Sequence, residues 1–185
     1  MSRRRTGLIM ACAAVAIVAA KPAEDTGATG GGAAPGSEPT DKTAGHAPAV
    51  SGGPVADIPP RYLALYRKYA SVCGPLHWSL LAGVGKVETN HGRTDLPGVH
   101  SGANYAGAAG PMQFLPATFD GVRQAHPDIG PDQYNPATAV HAAAHYLCDS
   151  GLADGDIYDA IFTYNRADWY VAKVRAQAAD YRAAA

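Results

Sequence analysis

Aromatic side chains are confined to one part of this chain. All ten Tyr, three Phe and two Trp lie between Tyr62 and Tyr181, and residues 1–61 hold none. A segment without aromatics and with few large aliphatics cannot bury enough apolar area to offset the entropy of ordering it. Folding is therefore expected over residues 57–185, long enough for one core, with a leader in front. A formal net charge of −1 over 185 residues gives no basic footprint, which argues against a dedicated nucleic-acid binder.

The leader reads as two pieces. Residues 1–20 carry Arg3, Arg4 and Arg5, then an uncharged run from Gly7 to Ala20 that ends in small residues. This is the pattern of a secretory signal. As a helix the run would span about 21 Å, short of the roughly 30 Å hydrocarbon core, so a membrane tether through residues 7–20 is the second reading. A lipid anchor on Cys12 is a weaker one, because little apolar sequence would precede it. Residues 21–56 hold eight Gly and five Pro among small polar residues, the composition of a flexible linker, with a mean reach of roughly 30–36 Å. A secreted or extracytoplasmic location is expected. If Cys12 leaves with the signal, Cys73 and Cys148 remain as an even pair. In an oxidising compartment the simplest outcome is one disulfide, the alternative being two buried thiols.

The folded region reads as all-α. Tyr62, Leu65, Tyr66, Tyr69 and Val72 recur at helical spacing after Pro60, with Gly74 as a stop. A second helix is expected over Pro75–Thr89, with Leu80, Leu81, Val84 and Val87 inward. Gly83 and Gly85 inside it cost about 1 kcal/mol each against Ala, tolerable where a backbone or ligand comes close. A Gly-rich loop follows over residues 92–110. Further helices are expected from Pro116 to Gln124, from Pro136 (capped by Asn135) to Cys148, from Asp156 to Tyr164, and from Asp168 to Arg182. Asp168 reads as the N-cap of the last.

One carboxylate stands apart. Residues 57–185 carry eleven Asp but a single Glu, Glu88. It shares the inward stripe of Leu81 and Val84, and it sits in the last turn, where the helix dipole disfavours negative charge. Both effects favour the protonated acid, the form that general-acid cleavage of a glycosidic bond requires.

Three segments surround that glutamate in the reading. Lys86-Val87-Glu88-Thr89, Gly107-Ala108-Ala109-Gly110-Pro111-Met112-Gln113-Phe114-Leu115-Pro116 and Thr163-Tyr164-Asn165 occur in this order. Together they resemble the signature segments of the lytic transglycosylases of the goose-type-lysozyme-like superfamily, over roughly Ile58 to Asp180. Thr89 stands where the family most often has Ser, and Thr163 where Ala is common. The resemblance implies a compact lysozyme-like helical domain acting on peptidoglycan glycan strands. It implies Glu88 as the catalytic acid/base and Thr89 as a hydroxyl that helps orient its carboxyl. Gly110, Met112, Gln113 and Phe114 would form a substrate-groove segment, Gln113 supplying hydrogen bonds, with Tyr164 near the acid and the substrate acetamido group and Asn165 its partner in the wall. The family reaction leaves a 1,6-anhydromuramyl end.

Most glycosidases use two carboxylates. The candidate seconds here, Asp95 and Asp168, read more simply as a turn residue before Leu96-Pro97 and as a helix cap. A single-Glu scheme is therefore expected, with a hydrolytic muramidase using Asp95 or another Asp and a non-catalytic wall-binding module as rivals. His141 and His145 lie four apart, followed by Cys148 and Asp149, which makes a metal site conceivable. No His-Glu-x-x-His pattern is present, and Cys148 is better used in the disulfide. No metal and no cofactor is expected, and the chain is expected to act as a monomer. Tyr105 would either stack on sugar or cover the core. Tyr62, Tyr66 and Tyr69 read as core.

Overall fold

The computed structural model describes residues 54–185, so the expected signal, tether and most of the expected linker lie outside the described residues. Among the described residues the secondary structure is helical, with six α-helices, three short 3₁₀ turns and no strand beyond a single bridge between Ala109 and Phe114. The helices are α1 (Pro60–Tyr69), α2 (Trp78–Thr89), α3 (Pro116–Ala125), α4 (Pro136–Asp149), α5 (Ile157–Tyr164) and α6 (Asp168–Ala183).

Local chemistry sets most of the boundaries. Pro60, Pro116 and Pro136 each occupy a first turn, where a missing N–H costs nothing. Asn135 caps α4 by accepting from the Ala137 N–H, and Asp156 caps α5 by accepting from Asp159. Two starts differ from expectation. α2 begins at Trp78 rather than Pro75, because the His77 ring takes the capping role and accepts from the Ser79 N–H at 3.2 Å. Asp168 is not the N-cap of α6; Ala167 holds that position and no side chain caps the helix. Asp168 lies one residue inside, where the helix dipole favours its charge, and its carboxylate accepts the Tyr158 hydroxyl.

α4 runs through the middle, packed against α1, α2, α3 and α5. Ala139, Ala142, Ala143 and Ala144 are fully buried, and these small side chains let the surrounding helices approach it. The expected inward stripe of α2, Leu80, Leu81, Val84 and Val87, lies in the same core. Tyr62 and Tyr66 are buried, and Tyr69 packs against the core's edge. The Cys73–Cys148 disulfide joins the segment after α1 to the end of α4. With its cysteines 75 positions apart in sequence, it is worth on the order of 4 kcal/mol by loop entropy.

α2 and α6 form the most extensive helix pair. At Gly83 the approach is backbone to backbone: an added Cβ would lie 2.8 Å from the Val174 carbonyl oxygen and 3.3 Å from the Ala178 nitrogen. At Gly85 it would lie 2.0 Å from the Tyr66 hydroxyl. That hydroxyl is part of a buried polar chain in which His91 bonds Tyr66 through Nδ1 (3.0 Å) and Tyr181 through Nε2 (2.9 Å). Burial holds the His91 ring neutral by lowering its pKa to about 4.

Gly83 of α2 and Gly121 of α3 should respond oppositely to alanine. Gly121 in α3 has nothing within 4 Å of a new Cβ, so Gly121→Ala should stabilise by about 0.5–1 kcal/mol. Gly83→Ala should destabilise by about 1–3 kcal/mol despite its better helix propensity, because backbone blocks the methyl. Urea denaturation of the two variants checks both signs.

Candidate active site

Glu88 occupies the last turn of α2 and is half-buried. Antiparallel packing of α6 on α2, centred on Gly83 and Val174, carries the first turn of α6 to this end. There the Tyr170 hydroxyl donates to Glu88 Oε1 at 2.5 Å. Loss of hydration pushes the Glu88 carboxyl from 4.5 up to about 7, while the Tyr170 bond pulls it down. The net result is an acid poised near neutrality.

The helix end is held in place by unusual backbone and by charge. Asn90 and His91 are both left-handed (φ 51° and 60°). Asn90 Oδ1 accepts from Lys86 and Arg93, and Asp57 from the first turn of the domain pairs with the same two cations at 2.5 and 2.9 Å. The Lys86 hydrogen bond, aided by Arg93, holds the Asp57 carboxyl down at about 2 against its partial burial.

Thr89 ties this end to the Gly-rich segment. Its hydroxyl donates to the Pro111 carbonyl (2.6 Å) and accepts from the Gly92 N–H (2.8 Å). It therefore fixes the backbone beside Glu88 rather than the carboxyl, and the carboxyl's hydrogen-bond partner is Tyr170. Gly110 to Gln113 form a tight turn across the Ala109–Phe114 bridge, closed by Gln113 N–H to Gly110 carbonyl at 3.1 Å. Gly110 has φ 78°, and a Cβ there would meet the Gln133 carbonyl oxygen at 2.1 Å. Gln113 is itself left-handed at φ 50°, a costly conformation of the kind that gathers at functional sites. Its side chain accepts from Asn104 (2.9 Å) and donates to the Gly110 carbonyl (2.8 Å).

The third segment closes the circuit. Tyr164, at the end of α5, donates to the Met112 carbonyl at 2.8 Å and stacks parallel to Tyr170, with ring centroids 6.5 Å apart. Met112 and Phe114 are buried beneath the turn. Asn165 is also buried, and its Oδ1 has no hydrogen-bond partner among the described residues. A buried acceptor left unpaired is expensive unless a ligand donor meets it. The structure thus brings the three segments together and adds Tyr170, which the sequence reading missed. Its only signal was a place on the inward face of α6.

The remaining candidates fall elsewhere. The Asp95 side chain is fully exposed, with the His100 Nε2 at 3.8 Å. Tyr105 is 79% exposed, so it does not cover the core.

A helical domain with a desolvated glutamate between a Gly-rich turn and a tyrosine–asparagine wall belongs to the lysozyme-like class. The chain matches the family model of the transglycosylase SLT domain over residues 78–184 and belongs to that family, within the lytic transglycosylase and lysozyme-like superfamily. The match begins at the first residue of α2, so α1 and Cys73 precede it. No curated protein and no solved structure matches the chain. Membership carries a lytic transglycosylase-family function, with peptidoglycan as the substrate class.

The raised Glu88 pKa has a stability consequence. Between pH 4.5 and about 7 the folded state keeps a proton that the unfolded chain releases, so stability falls as pH rises through this window. Glu88→Gln removes the cost. At pH 8 it should stabilise the protein by about 2–3 kcal/mol, and at pH 4 the two proteins should melt together. Thermal denaturation at both pH values checks this.

Proposed function

We propose that the chain is a peptidoglycan lytic transglycosylase that cleaves the MurNAc–GlcNAc bond with Glu88 as its single acid/base. The observation that carries this reading is the state of Glu88, the only glutamate of residues 57–185, with a pKa of about 7 and a hydroxyl aimed at one oxygen. A group with this pKa offers both its acid and its base form near neutral pH.

Protonated Glu88 gives its proton to the glycosidic oxygen as the bond to the muramyl C1 breaks. The substrate's own 2-acetamido group supports the positive charge at C1, the task that a second carboxylate performs in other glycosidases. Glu88, now a carboxylate, takes the proton of the muramyl C6 hydroxyl as that oxygen bonds to C1. The product is the 1,6-anhydro ring, Glu88 is protonated again, and no water is consumed. Tyr170 limits the rise of the Glu88 pKa, so the carboxylate remains able to act as base.

Gln113, held by Asn104 on a left-handed backbone, would offer its remaining hydrogen-bond capacity to the glycan. The unpaired Oδ1 of Asn165 would accept an N–H from an acetamido or peptide group. Gly110, Met112, Phe114, Thr89 and Tyr164 would shape the groove through the contacts described above. An extracytoplasmic location is supported by the Cys73–Cys148 disulfide. The segment of residues 7–20 would supply export or a tether.

Mass spectrometry of fragments released from purified sacculi tests the reaction. The full chain should release muropeptides lighter by one water than hydrolysed ones, and Glu88→Gln should release none. Hydrated products would replace this reading with a muramidase, and bound sacculi without products would replace it with a binding module. The rate should fall as pH rises through about 7. In Tyr170→Phe, which removes the bond favouring the carboxylate, that fall should move to higher pH.

A further inference from the structure

α4 is buried on nearly all sides, and its polar stripe carries two imidazoles one turn apart, His141 and His145. The segment that follows α3 brings His126 and Asp128 over the same stripe. One donor atom each from Asp128, His141 and His145 lie within 4.8 Å of one another, and His141 Nε2 is 3.5 Å from Asp128 Oδ2. The rings are braced from outside. Tyr69 of α1 stacks on His141 (4.3 Å, 18°), and His126 stacks on His145 (3.8 Å, 30°) while bonding Asp149 at 2.7 Å.

We propose that Asp128, His141 and His145 form a binding site for a single divalent transition-metal ion of the zinc class, separate from the Glu88 site. Two imidazoles and one carboxylate suit zinc, and they disfavour calcium or magnesium, which prefer oxygen donors throughout. Histidines four apart on a helix present both rings to one point. In a tetrahedral site with ligand bonds of about 2.0–2.1 Å, donor atoms sit roughly 3.4 Å apart. One pair is already near that spacing and the other two lie within 4.8 Å, so small rotations of the imidazoles and a shift of Asp128, on an exposed loop, complete the set. No metal was expected from the sequence because no His-Glu-x-x-His pattern is present and Cys148 was assigned to the disulfide; Asp128, thirteen residues before His141, was not among the candidates. Cys148 is in the disulfide, and Asp149 is engaged by His126.

The ion would brace more than three side chains. The loop that carries Asp128 continues to Gln133, whose carbonyl abuts Gly110, and to Tyr134, whose hydroxyl donates to the Gly102 carbonyl at 2.5 Å. Holding Asp128 to α4 fixes one end of a loop whose other end supports the Gly-rich turn.

The test is calorimetric titration of zinc chloride into the full chain, prepared without a histidine tag and stripped with chelator. Expected are one zinc per chain and a weakening by roughly tenfold or more in His141→Ala and in His145→Ala. Zinc should also slow hydrogen exchange across residues 126–145 of the unmutated protein. That map decides the matter even if a histidine variant misfolds. Absence of saturable binding would overturn the proposal. So would unchanged binding in the double variant, or slowed exchange confined to other residues.

Discussion

The near-contact of two backbones at Gly83 is the constraint on which the site depends. Where α2 and α6 are separated by no side chain, their relative position is set to within a fraction of an ångström by hard-core repulsion. Val174 and Ala178 are the points of approach. Glu88 lies toward the C-terminal end of α2 from that crossing, and Tyr170 lies toward the N-terminal end of α6. Antiparallel helices fixed at one point therefore deliver the hydroxyl to the carboxyl. A larger residue at the crossing would move the two functional groups apart even though it touches neither.

From that contact the remaining interactions close a circuit. Thr89 holds Pro111, Met112 accepts from Tyr164, Tyr164 stacks on Tyr170, and Tyr170 returns to Glu88. Three of the four links join segments more than twenty residues apart, and two of them use a main-chain carbonyl as the acceptor, so side-chain motion elsewhere does not release those two. Beneath the circuit lies the Tyr66–His91–Tyr181 chain, whose pH behaviour has the opposite sign to that of Glu88. His91 must stay neutral, so stability is lost as pH falls from 6.5 through about 4, whereas the Glu88 cost grows as pH rises. The two buried groups together favour a weakly acidic to neutral working range.

Much of this was legible in the sequence, for reasons that differ by feature. The inward stripe of α2 follows from helical periodicity alone, and the isolation of Glu88 follows from composition. The glycines at 83 and 85 announced a close approach because nothing else excuses them in a helix. The helix starts were legible where proline or asparagine marks them, but not at His77, a residue type that seldom caps. Tyr170 was not legible, because only tertiary packing tells which residue of an inward helical face meets a carboxyl 82 positions away. The capping role expected of Asp168 failed for a related reason. Residue type shows that a carboxylate can form a local bond, and here a distant partner took it instead.

The disulfide gives the domain a property of another kind. Glu88, Thr89 and the Gly110–Phe114 turn all lie inside the loop that Cys73 and Cys148 close, together with the exposed Gly-rich stretch around Ser101 and Gly102. A protease that cuts once in that stretch leaves a chain still covalently continuous, with both cut ends attached to the same helical core. Damage that would split an unbridged protein into two diffusing pieces becomes a local opening that packing can hold shut.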